Sequence, residues 1–181
     1  MKHLALPFIA LLLICCTQPT EKEIAVATEV EPAPETTSTT PALTEQELLY
    51  DLMGFEITTQ SLDSAYGHLL KLEKIPKQNT HRPAITDTIY RYHTGNTEFK
   101  IYKARHKDIF YAATISLNQI QLRNGIHTGM RKSDFFKILP ASPAQQDTFT
   151  IQQEEPAADN SLHFIFKNDT LQVIRYNGYI D

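Results

Sequence analysis

The chain has 181 residues, 41% of them hydrophobic, and a formal net charge of −4 from 17 Lys and Arg against 21 Asp and Glu. That length and apolar content suffice for one domain with a sizeable core. The acidic balance argues against nucleic-acid binding by counterion release and leaves no polybasic patch for anionic lipid. The 2 cysteines are the neighbours Cys15 and Cys16, so a domain that follows them has no internal disulfide, thiol nucleophile or Cys metal ligand.

Met1, Lys2 and His3 precede an apolar run from Leu4 to Ile14. One cation, an apolar core of about ten residues and a small-residue cut site form the pattern of a secretory signal. The run is shorter than the roughly 20 residues that a membrane span requires. Leu13-Ile14-Cys15-Cys16 resembles the lipobox of bacterial lipoproteins, where cleavage leaves a new N-terminal cysteine that carries lipid. Leu13 stands three residues before Cys16, and Cys15 is the small residue just before it. A cut ahead of Cys15 would put the bulky Ile14 in the small place, so Cys16 is the expected lipid carrier and Cys15 the fallback. The family prefers Gly or Ala before the cysteine, and Cys15 departs from that. The resemblance implies a signal peptide over residues 1–15, a membrane anchor at Cys16 and a place in the cell envelope, on the outer membrane. A plain secretory signal with two incidental thiols stays open.

Residues 16–43 read as the lipidated cysteine and a tether. The stretch holds Pro19, Pro32, Pro34 and Pro41, the run Thr36-Thr37-Ser38-Thr39-Thr40, and no aromatic residue. It lacks the apolar surface to offset its ordering entropy. Extended, it would reach on the order of 85 Å. A single domain is expected over residues 44–181.

Thr44-Glu45-Gln46-Glu47 is a capping box, and Leu43 and Leu48 flank it as a hydrophobic staple. The pattern predicts a helix from Glu45 to about Met53, ended by Gly54. Phe55 to Thr58 alternates like a short strand. Leu62, Ala65, Tyr66, Leu69 and Leu70 follow helical periodicity, with Ser61 as a cap. Lys71, Glu73 and Lys74 then close the helix, and Pro76 to Pro83 reads as a loop. Thr88 to Tyr92 and Phe99 to Tyr102 read as strands across a Gly95-Asn96 turn. Ile109 to Leu117 reads as a central strand buried on both faces, continued more loosely over Asn118 to Asn124. Lys132 to Leu139 is a short apolar helix stopped by Pro140. Thr148 to Ile151 is a strand, and Leu162 to Phe166 with Leu171 to Tyr176 form a hairpin across Asn168-Asp169.

Shifted by about 69 residues, Ile57, Thr59, Ser64, Tyr66, Leu69 and Leu70 fall on Ile126, Thr128, Ser133, Phe135, Ile138 and Leu139. Asp87-Thr88-Ile89 then matches Asp147-Thr148-Phe149, and Phe99 to Lys103 matches Leu162 to Lys167 with a small gap. The fold class expected is α+β: an antiparallel sheet with short helices packed on one face, built from two tandem helix-plus-meander repeats. Any two amphipathic helix-plus-hairpin units also align this way when gaps are allowed. Gly125-Ile126-His127-Thr128-Gly129-Met130, the helix after it, Pro140 and the closing hairpin resemble the small outer-membrane assembly lipoproteins, which share a fold with the β-lactamase inhibitor proteins. Gly129-Met130 matches that family's opening, while Arg131 replaces its Ser or Thr cap and the first half carries Gln60-Ser61 instead of Gly-Met. The resemblance covers residues 125–176 and implies the fold and a role in envelope assembly.

No catalytic pattern stands out. His68, His81, His93, His106, His127 and His163 are scattered without metal-ligand spacing, so no metal is expected. The 6 glycines form no phosphate loop, and no cofactor is expected. The aromatic residues are the better clue, because Tyr90, Tyr92, Phe99, Tyr102, Phe110 and Tyr111 crowd one meander. Exposed tyrosines favour protein interfaces, and Tyr90, Tyr92 and Tyr102 are the candidate binding residues; ordinary cross-strand pairing is the plainer reading of the same rings. The expectation is a non-enzymatic, lipid-anchored envelope protein that binds another protein. The alternatives are a small-molecule or peptide receptor, and an enzyme with a site around Arg91, His93 and His127.

Overall fold

The computed structural model describes residues 42–105, 107–139, 146–153 and 160–179. The expected signal peptide, Cys15, Cys16 and the expected tether up to residue 41 lie outside the described residues, as do His106 and Pro140. Leu43, assigned above to the tether, belongs to the fold: it is buried, and its amide donates to the Ile138 carbonyl at 3.3 Å.

Among the described residues there are three short α-helices, α1 (Glu45–Tyr50), α2 (Thr59–Tyr66) and α3 (Lys132–Ile138). The α1 capping box is formed, with the Glu47 amide donating to Thr44 Oγ1 at 3.2 Å and the Thr44 amide to Glu47 Oε2 at 2.9 Å. The helix stops at Tyr50 rather than near Met53, but Leu52 and Met53 stay buried before Gly54 turns the chain at φ 75. In α2 the cap is Thr58, not Ser61. Ser61 is the third residue of a second capping box, accepting from the Thr58 amide at 2.8 Å and donating its own amide to Thr58 Oγ1 at 3.1 Å. The cap position of α3 is Arg131, whose side chain makes no capping bond. The Lys132 amide instead donates to the Asp169 carbonyl at 2.8 Å, so a distant turn satisfies an orphan donor of this helix.

The described residues form seven strands, antiparallel throughout: β1 (Lys71–Gln78), β2 (Thr86–Thr94), β3 (Thr97–Ala104), β4 (Lys107–Ile115), β5 (Thr148–Gln152), β6 (Ser161–Lys167) and β7 (Thr170–Asn177). Their order is β1-β2-β3-β4-β7-β6-β5. The β6–β7 turn places Asn168 at φ 51 and Asp169 at φ 56, the left-handed pair that a type I′ hairpin needs and that Asn and Asp tolerate. Alternation along the strands separates two faces. Tyr92, Phe99, Ile101, Ala113, Ile115, Ile174, Leu162, Phe164 and Ile151 point to one face and are buried in a single cluster with Leu48, Leu62 and Phe135 of the helices. Phe135 packs its ring 4.7 Å from Phe164 and 5.4 Å from Phe166. No residue is buried in the row that crosses the other face, Lys71, His93, Glu98, Thr114, Arg175, His163 and Thr150.

Four local expectations are corrected. Lys71 to Gln78 is a strand, not a helix end and a loop; it lies at the sheet edge, exposed on both faces, so burial imposes no apolar alternation on it. Phe55 to Thr58 forms no strand. β4 is central in the sheet but buried on one face only, at Ala113 and Ile115, because its other face lies in the uncovered layer. Asn118 to Asn124 is not a continuing strand: a loop runs through it into a short 3₁₀ turn at Arg123–Gly125.

Candidate functional site

The open face is assembled by cross-strand pairing. Glu73 faces Arg91, Arg91 faces Lys100, and His93 faces Glu98. Arg91 Nη1 lies 3.0 Å from Glu73 Oε2, its Nε donates to Glu98, and Lys100 Nζ reaches Glu98 Oε1 at 2.6 Å. Glu98 and Glu73 both hold the Arg91 guanidinium in its charged form, raising its pKa. Burial pushes Glu98 up, but Lys100 and Arg91 outweigh it and leave its carboxyl below the ordinary range. These groups are partly solvated, so the network contributes little to stability. It does order the charges on a face that nothing among the described residues covers.

Beyond this network the pairing continues through Thr114 to Arg175 and His163. His163 Nδ1 lies 3.0 Å from Thr150 Oγ1, and its Nε2 lies 3.1 Å from Ser161 Oγ. A hydroxyl beside an imidazole suggests a nucleophile and its base. Here the second ring nitrogen meets a threonine rather than a carboxylate, and the pair stands on an open sheet rather than in a cleft. The open-face positions carry Lys71, Lys77, Arg91, Lys100, Lys107 and Arg175 against Glu73, Asp87 and Glu98, a cationic excess on a chain whose net charge is −4. A second row, Ile75, Ile89, Tyr102 and Ile109, gives the same face an apolar strip.

The three candidate tyrosines separate. Tyr92 is 0% exposed, opposite Phe99, and donates its hydroxyl to the Thr59 carbonyl at 3.1 Å. Burial raises its pKa. Tyr90 lies on the same helix-facing side, opposite Ile101, with Lys74 Nζ 5.1 Å from its ring centre. The expectation of Tyr90 and Tyr92 on an uncovered face is therefore corrected: α2 packs over that side, and Tyr92 is core. Tyr102 does lie on the open face, yet its hydroxyl donates to Asp87, which also accepts from Asn79 Nδ2 at 2.7 Å. Those two bonds lower the Asp87 pKa. The useful signal was charge rather than aromaticity, since Arg91, His93, Glu98 and Lys100 alternate with Tyr90, Tyr92, Phe99 and Ile101.

Arg91 and His93 share the open face, but His127 does not join them. It stands in the loop before α3 with Nδ1 2.8 Å from the Thr128 carbonyl. Among the described residues no group of three His, Cys, Asp or Glu could hold a metal, and no helix is long and apolar enough to cross a membrane. On the helix side a cleft of about 460 Å³ opens beside α1, lined by Leu52, Phe55, Ile57, Asp108, Phe110 and Tyr176. The Phe110 and Tyr176 rings stack in it at 4.8 Å. Compared with protein-family models, curated proteins and solved structures, the chain matches none.

Proposed function

We propose that this chain is a lipid-anchored protein of the cell envelope, held by Cys16, whose α+β domain binds an acidic surface of another envelope protein through the open face of its sheet. The observation that carries the reading is the uncovered row Lys71, His93, Glu98, Thr114, Arg175, His163 and Thr150, crossing all seven strands with a cationic excess around it. A flat face with an apolar strip and ordered charges steers a complementary partner and fixes its register.

The tandem repeat belongs to the same proposal. Its support is topological. α2 precedes the meander β1-β2-β3-β4 and α3 precedes β5-β6-β7, so the last three strands of the first half correspond to the three of the second, with β1 an extra edge strand, and the halves meet where β4 pairs with β7. Each hairpin bordering that seam also carries one irregularity, between Lys100 and Ile101 and between Ile165 and Phe166. The helices correspond best when Leu62 is set on Phe135, each four residues after its cap. That is one helical turn from the sequence alignment and preserves the same buried face. The likeness to small outer-membrane assembly lipoproteins rests on this arrangement and on Gly129-Met130.

A photo-crosslinking residue at Thr114, in the middle of the open face, tests the reading in the producing cell, with Ser64 on the exposed side of α2 as control. The expected result is a protein adduct from Thr114 that Arg175→Glu diminishes, with none from Ser64. Adducts from Ser64 alone, or none from Thr114, would sink it. The second reading, a small-molecule or peptide receptor, is favoured by the 460 Å³ cleft, and adducts from a residue at Phe55 would support that reading instead.

A further inference from the structure

The edge strand β1 has features that sheet stability does not require. Of the exposed large hydrophobic residues described, Leu72 at 40%, Ile75 at 36% and Ile85 at 36% gather at this edge. Lys71, Lys74 and Lys77 lie along the same eight residues. The direction of its free backbone groups follows from one bond. The Asn79 amide donates to the Ile85 carbonyl at 3.0 Å, continuing the β1–β2 pairing by one step beyond Gln78 and Thr86. Backbone groups alternate in direction along a strand, so odd-numbered residues of β1 bond to β2 and even-numbered ones face outward. Leu72, Lys74 and Gln78 thus present N–H and C=O groups that no strand among the described residues pairs. Pro76, which has no N–H, falls in the outward set, where an edge proline belongs.

From these groups we infer that β1 accepts an extended acidic segment of a protein partner as an eighth strand. This site adjoins the open face proposed above and shares Lys71, Ile75 and Lys77 with its rim, but it binds through the backbone edge of β1. Lysines and a proline on an edge repel a second copy of the same edge. The same ammonium groups attract a strand carrying carboxylates. Alternation sets the partner's pattern. On the open-face side it meets Lys71, Glu73, Ile75 and Lys77, which suit acidic residues at the two ends and small ones between. On the helix side it meets Leu72, Lys74 and Pro76, which suit aliphatic residues flanking an acidic one. Glu73 is spoken for by Arg91 at 3.0 Å and so opposes an acidic strand less than a free carboxylate would. The outward bonds at Leu72 and Lys74 fix the register, and the proline limits the added strand to a few residues.

The test uses the full chain and a fluorescent, blocked peptide Glu-Val-Thr-Glu-Thr-Val-Glu, whose pattern reads the same in either strand direction, with the same peptide carrying Lys for Glu as control. Saturable binding of the acidic peptide alone is expected, with slowed amide exchange at Leu72 and Lys74. Lys74→Pro removes the outward donor without a bond to β2, and Lys71→Glu with Lys77→Glu reverses the rim charge. Each should weaken binding by roughly tenfold or more, with thermal midpoints near the parent's. Thr114→Arg, which blocks the open face, should leave it unchanged. No saturable binding overturns the inference, as does binding that survives Lys74→Pro and fails in Thr114→Arg. Exchange protection at Leu72 and Lys74 before any peptide is added would assign the edge to a segment of this chain, or to a second copy if the protection grows with concentration. Either outcome overturns the partner strand.

Discussion

Tyr92 shows how one residue changes meaning between sequence and fold. Its ring fills the core opposite Phe99, and its hydroxyl bonds the first turn of α2. Tyr92→Ser removes most of a buried ring and should cost about 3–5 kcal/mol, as large-to-small core changes do. Tyr92→Phe keeps the ring and loses one bond, so about 1 kcal/mol is expected. Tyr90→Ser should fall between them, because that ring is only half-buried. Urea unfolding midpoints of the three variants check the order. A Tyr92→Ser variant as stable as the parent would contradict the core placement. Tyr102 has yet another task, since its hydroxyl and Asn79 tie the loop after β1 to the start of β2 through Asp87.

At the scale of elements, the contacts that dock helices on the sheet are polar as well as apolar. Asp108 at the start of β4 accepts from the Thr59 amide at 2.9 Å and hydroxyl at 3.0 Å, and Lys103 Nζ lies 2.5 Å from its other oxygen. Its side chain is only 9% exposed. Burial pushes its pKa up, but the Lys103 bond and the two Thr59 bonds outweigh it, and the carboxyl sits below the ordinary range. A lowered folded value means stability that is complete above the unfolded carboxylate range, about pH 4, and is lost as pH falls through the folded value. Asp108→Asn should therefore lower the thermal midpoint at neutral pH, and the two proteins should converge in acid. Midpoints recorded across the pH series test this. Parallel curves would show that Asp108 carries no linkage. The polar docking of α2 could not be read from its own periodicity, because Thr59 and Asp108 are brought together only by the fold.

For the whole molecule, the decisive contact is the seam between β4 and β7, where Ala112 to Ile115 pair with Asn177 to Ile174. Each side of the seam exposes a strand edge and half of one core if separated. Residues 43–117 and 118–181, made as separate chains, should each lack a cooperative unfolding transition. Mixed, they should recover the far-UV circular dichroism of the intact protein. A cooperative transition from either piece alone would mean that a half closes its own core and would remove the physical reason for a paired architecture.

Short-range chemistry settled much of this protein. The Thr44-Glu47 capping box, the Gly95 and Asn168-Asp169 turns, α3, and the alternation that sets Tyr90 and Tyr92 opposite Ile89 follow from local backbone preference and side-chain reach. The α+β class and a single antiparallel sheet follow from helix and strand periods too short to bury themselves alone. Tertiary structure decided what alternation leaves open. It chose which face of β2 the helices cover, because that choice depends on where α2 lands rather than on the strand. It made Lys71 to Gln78 an edge strand, because an edge exposed on both faces has no apolar pattern to read. It also gathered Glu73, Arg91, Glu98, Lys100, Arg175 and His163 onto one surface, since pairing across strands joins residues that their separation along the chain keeps apart.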